Sequence, residues 1–179
     1  MLLTLRGDNV RMIRLAVLED IEGIRDIERR AGEQFREIGM PSVADAELPS
    51  HAMLAEFVAE KRLWVLDDGA GPVAFVAASV VDDCGHIVQV SALPERRGER
   101  LGATLINHVE SWATSQGHRA LTLLTFRDVP WNRPYYERLG FSELTPQPGS
   151  QLSNLIDDEA KDVDSATRIA MWRRISTAS

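Results

Sequence analysis

Residues 86–113, HIVQVSALPERRGERLGATLINHVESWA, constrain the fold of this chain more than any other stretch. From 87 to 93 the residues are β-branched and apolar apart from Gln89 and Ser91, as in a buried strand. Pro94 closes that strand, because a proline has no amide to give to a ladder. Arg96, Arg97 and Gly98 follow, and at Leu101 the period changes. Leu101, Leu105, Val109 and Trp112 fall on one helical face, with Ile106 and Ala113 beside it. The stretch therefore predicts a strand, a basic turn and an amphipathic helix in succession.

The junction has the chemistry of an anion site. The first turn of a helix carries amide N–H groups without partners, and the helix dipole adds partial positive charge there. Gly98 and Gly102 let a ligand approach the backbone, and Arg96, Arg97 and Arg100 add formal charge. A plain connection with solvated arginines fits this stretch as well. Neither G-x-x-x-x-G-K-[ST] nor G-x-G-x-x-G is present, so the phosphate-cradling and dinucleotide motifs give no support.

A second stretch, LTLLTFRDVPWNRPYYERLGF from Leu121 to Phe141, reads as another strand, a polar loop and a short helix. Together the two resemble the GNAT superfamily of N-acetyltransferases. The family's R/Q-x-x-G-x-G/A motif is matched by Arg97-Gly98-Glu99-Arg100-Leu101-Gly102, with Arg100 where the family usually has a glycine. Its second signature is matched by Asn132, Tyr136, Gly140 and Phe141 in order. The resemblance covers nearly all of residues 12–175.

Bulk properties bound the alternatives. At 179 residues the chain is one domain, residues 12–179, behind an extension of residues 1–11. Twenty basic against 27 acidic residues leave a net charge of −7, which argues against a nucleic-acid partner and suits a cationic acceptor. The single cysteine, Cys84, excludes an internal disulfide and a cysteine metal cluster, and four scattered histidines predict no metal site. The longest apolar run, residues 73–81, is too short for a bilayer, and no signal peptide precedes the first arginine. A cytoplasmic location without membrane association is the expectation.

Taken in order, strands are expected at residues 12–16, 63–66, 72–81, 86–93, 120–126, 141–144 and 167–175. Helices are expected from Ile21 with Ile24, Ile27 and Ala31 as the stripe, at 54–58, from Leu101 to Gln116, and behind Pro134. Residues 82–85 are read as a turn and residues 145–164 as a long polar loop. The sum is a mixed α/β (α+β) domain of GNAT type: a central, mainly antiparallel sheet of six to seven strands with about four helices.

The resemblance also implies a chemistry. Acetyl-CoA is the expected cosubstrate, with no metal, and a small-molecule or protein amine the acceptor. A homodimer is an assembly the family often forms. In the family the pantetheine arm lies between splayed fourth and fifth strands, which maps to the backbone of Ala92 and Leu93. Amides from Arg97 through Gly98, Glu99, Arg100, Leu101 and Gly102 to Ala103 match the pyrophosphate loop, and Asn132 matches a coenzyme contact. Tyr136 matches the general acid for the coenzyme sulfur; a packed helix aromatic is the alternative. His86, near a family glutamate on the fourth strand, is a candidate base, against the commoner reading of a surface histidine at a strand start. Glu33 is the candidate contact for the acceptor amine, against an exposed helix-end glutamate. A non-catalytic acyl-CoA-binding module and a transferase of longer acyl groups stay open as rivals.

Overall fold

The structure, a computed structural model, describes residues 11–162 and 168–175, with side chains through residue 159 and again from 168. A seven-stranded sheet of order β1-β2-β3-β4-β5-β7-β6 forms its centre. β1 (Met12–Leu15), β2 (Leu63–Asp67), β3 (Pro72–Val81) and β4 (Cys84–Ala92) are successively antiparallel. β5 (Ala120–Phe126) lies parallel to β4, and β7 (Arg168–Arg174) and β6 (Ser142–Leu144) complete the sheet antiparallel. A parallel neighbour needs a crossover, and α4 (Leu101–Ser115) supplies it. The mainly antiparallel sheet expected from the sequence is thus present.

The two faces of the sheet are covered by different helices. α4 buries Leu105, Ile106, Val109 and Ala113 against Val76, Ile87, Leu121, Leu123 and Met171. α1 (Ile21–Gly32) and α3 (His51–Ala59) cover the other face, where Ile24 and Ile27 meet Val65, Phe75 and Ala77. β3 alternates between the two clusters, which is why its sequence is apolar without a polar period. Each fully buried aliphatic side chain contributes about 1.5–3 kcal/mol relative to exposure. Among the described residues no helix is long and apolar enough to cross a membrane.

Among the described residues there are six α-helices where about four were expected. α2 (Pro41–Ala44) is a single turn opened by its proline. α6 (Gln151–Asp162) replaces most of the long loop expected at residues 145–164, of which 163 and 164 lie outside the described residues. Its apolar Leu152, Leu155 and Ile156 pack on Val81, Leu124 and Ala170, a stripe hidden in sequence by surrounding Ser, Asn and Asp. A distant residue starts this helix: Asp82 accepts from the amides of Gln151 and Leu152, each at 3.0 Å. The Gln151 side chain accepts from the Asp82 amide in return.

The expected four-residue turn at 82–85 is also shorter. Asp82 and Asp83 alone form it, both with positive φ (48° and 59°), while Cys84 and Gly85 already pair with β3. Gly85 is glycine for packing: a Cβ there would come within 2.8 Å of the Ala113 methyl. The extension expected at residues 1–11 lies outside the described residues apart from Arg11, and Thr167 of the last expected strand does too.

Candidate active site

β4 and β5 separate soon after they meet. Their parallel pairing involves only residues 85–87 of β4 and 121–123 of β5, and beyond it the β5-facing side of β4 has no strand partner. Two cavities open in that splay. One, of about 750 Å3, runs along Val90, Ser91, Ala92 and Leu93 to Arg97, Gly98, Arg100 and Gly102. The other, of about 250 Å3, lies between α1 and the far ends of β4 and β5. Val90, Ser91, Asn132 and Tyr136 line both.

The larger cavity ends on the α4 N-terminus. Arg100 precedes the helix with φ +59°, its side chain makes no cap hydrogen bond, and the first helical amides remain without such a partner. Arg100 therefore sits in the left-handed conformation that glycine adopts without strain. Gly98 also has positive φ (88°), as the turn requires. Gly102 is needed for close approach, since a Cβ there would lie 2.6 Å from the Tyr135 hydroxyl oxygen. Glu99 turns away to Arg96 at 3.5 Å and Arg11 at 2.5 Å. The Leu101 and Ala103 side chains are buried, so only their backbone bears on the turn.

Trp131, in the wall of this cavity, packs on Phe35 and has a buried indole N–H without an acceptor. Asn132 starts α5 (Arg133–Arg138) through its carbonyl oxygen, which accepts from the Tyr135 and Tyr136 amides, while its side chain makes no cap bond. These groups suit an elongated ligand with anionic phosphates and amide groups: unpaired strand edge, uncapped helix amides, an orphaned donor and arginines at the mouth. Coenzyme A has that chemistry, and the residues fit it.

Tyr136 projects from α5 into the junction of the cavities, edge-on to Tyr135 and Phe141. Burial, reinforced by Tyr135, pushes its phenol above the ordinary range, so it holds its proton throughout the neutral range. Across the smaller cavity stands Glu28 of α1. Ser91 donates its hydroxyl to Glu28 Oε2 at 2.6 Å and Gln89 Nε2 donates to Oε1 at 2.9 Å. Burial raises its pKa despite those two bonds. Arg168, at the start of β7, closes the cavity, with its guanidinium carbon 3.8 Å from the centre of the Phe126 ring.

Glu28 and Arg168 were missed by the sequence reading, although a signal existed for the first. Glu28 falls four residues after Ile24 and three before Ala31, a carboxylate set in the apolar stripe of α1. The structure does not bring His86 into either cavity. It is 5 % exposed, its Nδ1 is 2.9 Å from Thr122 Oγ1, and burial depresses its pKa to about 4. The reason is its place beside the short β4–β5 pairing, at the closed end of the splay. Glu33 lies exposed on the rim of the larger cavity, paired with Arg36 Nε at 3.0 Å, and does not line the smaller one.

The sheet thus splays beside a basic turn at the head of its crossover helix, with Glu28 and Tyr136 lining the gap. The sequence profile of the Acetyltransferase (GNAT) family matches residues 21–141, well over half of the chain, and the chain belongs to that family. Its fold is shared with Ard1 from Thermoplasma volcanium (TM-score 0.70, 16 % identity, 93 % of this chain and 99 % of that one). It is shared too with the ribosomal-protein-S18-alanine N-acetyltransferase from Escherichia coli (0.66, 21 %, 95 % and 97 %). N-acetylglutamate synthase from Neisseria gonorrhoeae, solved with coenzyme A and N-acetyl-glutamate, aligns over 93 % of this chain and 35 % of its own (0.71, 18 %). At such identities the likeness concerns the fold.

Proposed function

We propose that this protein transfers an acetyl group from acetyl-CoA to a primary amine, with Glu28 as base and Tyr136 as general acid. The observation that carries this reading is the meeting of the two cavities at Tyr136, with Glu28 facing it from the acceptor side. Acetyl-CoA would supply the activated acyl group as a thioester. Arg97, Gly98, Arg100 and the amides that follow hold its phosphates, the Val90–Leu93 edge holds its arm, and Asn132 adds a side-chain contact.

Glu28 orients the amine, which releases one proton to solvent to become the neutral nucleophile; Glu28 takes the second as the C–N bond forms and passes it to solvent. A carboxylate raised by burial is a better match to an ammonium than an ordinary one, so that transfer is less uphill. Tyr136 gives its proton to the sulfur as the C–S bond breaks, and regains one from solvent. His86, buried and neutral beside Thr122, serves the sheet instead.

Thermal unfolding with and without acetyl-CoA tests the coenzyme site, because a ligand that binds only the native state raises its stability. Thiol release in the presence of an amine panel then tests transfer, with Tyr136→Phe and Glu28→Gln as controls. A shift with no thiol release from any amine would reduce the protein to a coenzyme-binding module.

A further inference from the structure

The acceptor cavity holds a cation that the chemistry above does not use. Arg168 lies partly buried in its wall, flat against Phe126. Glu159 of α6 meets the guanidinium at Nε, 3.1 Å away. The two terminal nitrogens have no hydrogen-bond partner among the described residues. Burial opposes the charge on this guanidinium, and a half-desolvated fork of N–H donors is completed by a planar anion such as a carboxylate.

Glu28 and Arg168 come from opposite sides of the cavity, α1 and β7, and no ion pair joins them. Tyr136 stands between and feels the charge of both. A cavity of about 250 Å3 with a carboxylate at one wall and a guanidinium at the other is complementary to a small zwitterion. On the acetyltransferase reading, we infer that the acceptor is a free α-amino acid or a close analogue, its amine on Glu28 and its carboxylate on Arg168. A protein N-terminus, whose first carboxyl is an amide, lacks the group that Arg168 would bind.

The test assays the full chain with acetyl-CoA against each common L-amino acid, its decarboxylated amine and its carboxamide. The expected result is kcat/KM about 10- to 100-fold higher for at least one amino acid than for its amine and amide, the size of a lost charge-assisted bond. Arg168→Gln then raises KM for that amino acid by a similar factor, removes its preference over the bare amine, and leaves KM for acetyl-CoA unchanged. Arg168→Lys restores part of the loss. Amines and amides acetylated as well as the acids, with Arg168→Gln indifferent, would overturn carboxylate recognition while leaving the acetyltransferase intact. Should no acceptor release thiol, ligand-observed NMR of the same amino acids reads the site directly: binding lost in Arg168→Gln supports it, and no binding to wild type refutes it.

Discussion

Ser91 Oγ lies 2.6 Å from Glu28 Oε2 and holds that carboxylate against the edge of β4. The bond ties the acceptor side of the cleft to the strand that carries the coenzyme side two residues further on. It also fixes the direction of a carboxylate in the smaller cavity, so that its proton affinity has a readable consequence.

Burial raises Glu28 above its ordinary value of 4.5. As a base it must be ionised, so kcat/KM should fall on acidification with a midpoint above 4.5, provided the assay stays in the folded range. Glu28→Gln should remove that limb and lower kcat/KM about 10²–10⁴-fold. Stability runs the other way. A raised carboxyl favours the fold below its unfolded pKa and loses that contribution as pH climbs through the folded one. Unfolding free energies should therefore show Glu28→Gln gaining on wild type from about pH 4.5 upward.

Tyr136→Phe removes the donor and keeps the ring against Tyr135 and Phe141. Turnover should drop about 10²–10⁴-fold while acetyl-CoA still raises the melting temperature as in wild type. A variant with both turnover and coenzyme binding intact would remove Tyr136 from the chemistry.

Arg100 holds a left-handed backbone at φ +59° and lines the larger cavity. Arg100→Gly should relieve strain of about 1–2 kcal/mol, set against the greater chain entropy of glycine, so denaturant midpoints should stay equal or rise. Coenzyme affinity should nevertheless weaken, and its dependence on salt should flatten, because one phosphate partner is gone.

His86 is pulled in the opposite sense from Glu28. Its folded pKa of about 4 lies below the ordinary 6.5, so the unfolded chain takes up the proton first. Stability is then full above pH 6.5 and declines between 6.5 and 4, by about 3 kcal/mol for a shift of this size. His86→Gln should flatten that slope in pH-dependent unfolding, without changing the acid limb of activity.

Asp82 caps α6 from across the chain. Asp82→Ala should cost about 1 kcal/mol or slightly more, and hydrogen exchange should report the loss first at the amides of Gln151 and Leu152. Exchange unchanged there would mean that the apolar stripe of α6 holds the helix by itself.

The order of strands and helices was legible because local pattern carries it. The change of period at Leu101, Pro94 after a β-branched run and Pro134 ahead of Tyr135 each act within one turn of chain. The turn at Arg97–Gly102 and the pair Asn132 and Tyr136 were legible as a motif, since backbone geometry there demands particular residues in a fixed sequence. α6 was not, because its start depends on a carboxylate 69 residues away and its short stripe is diluted by polar neighbours. The acceptor cavity was not legible either. Glu28 gains its raised proton affinity from burial, against the bonds from Ser91 and Gln89, and Arg168 faces the same space from the last described strand. His86 lines neither cavity for the same reason, since the point where β4 and β5 part, rather than its distance from Arg97 in sequence, decides which side chains see the cleft. Sequence alone determined the strands, most of the helices and the basic, glycine-bearing turn that opens α4. Only the tertiary structure decided which charges face each other across the gap, because desolvation and pairing depend on neighbours that are distant along the chain.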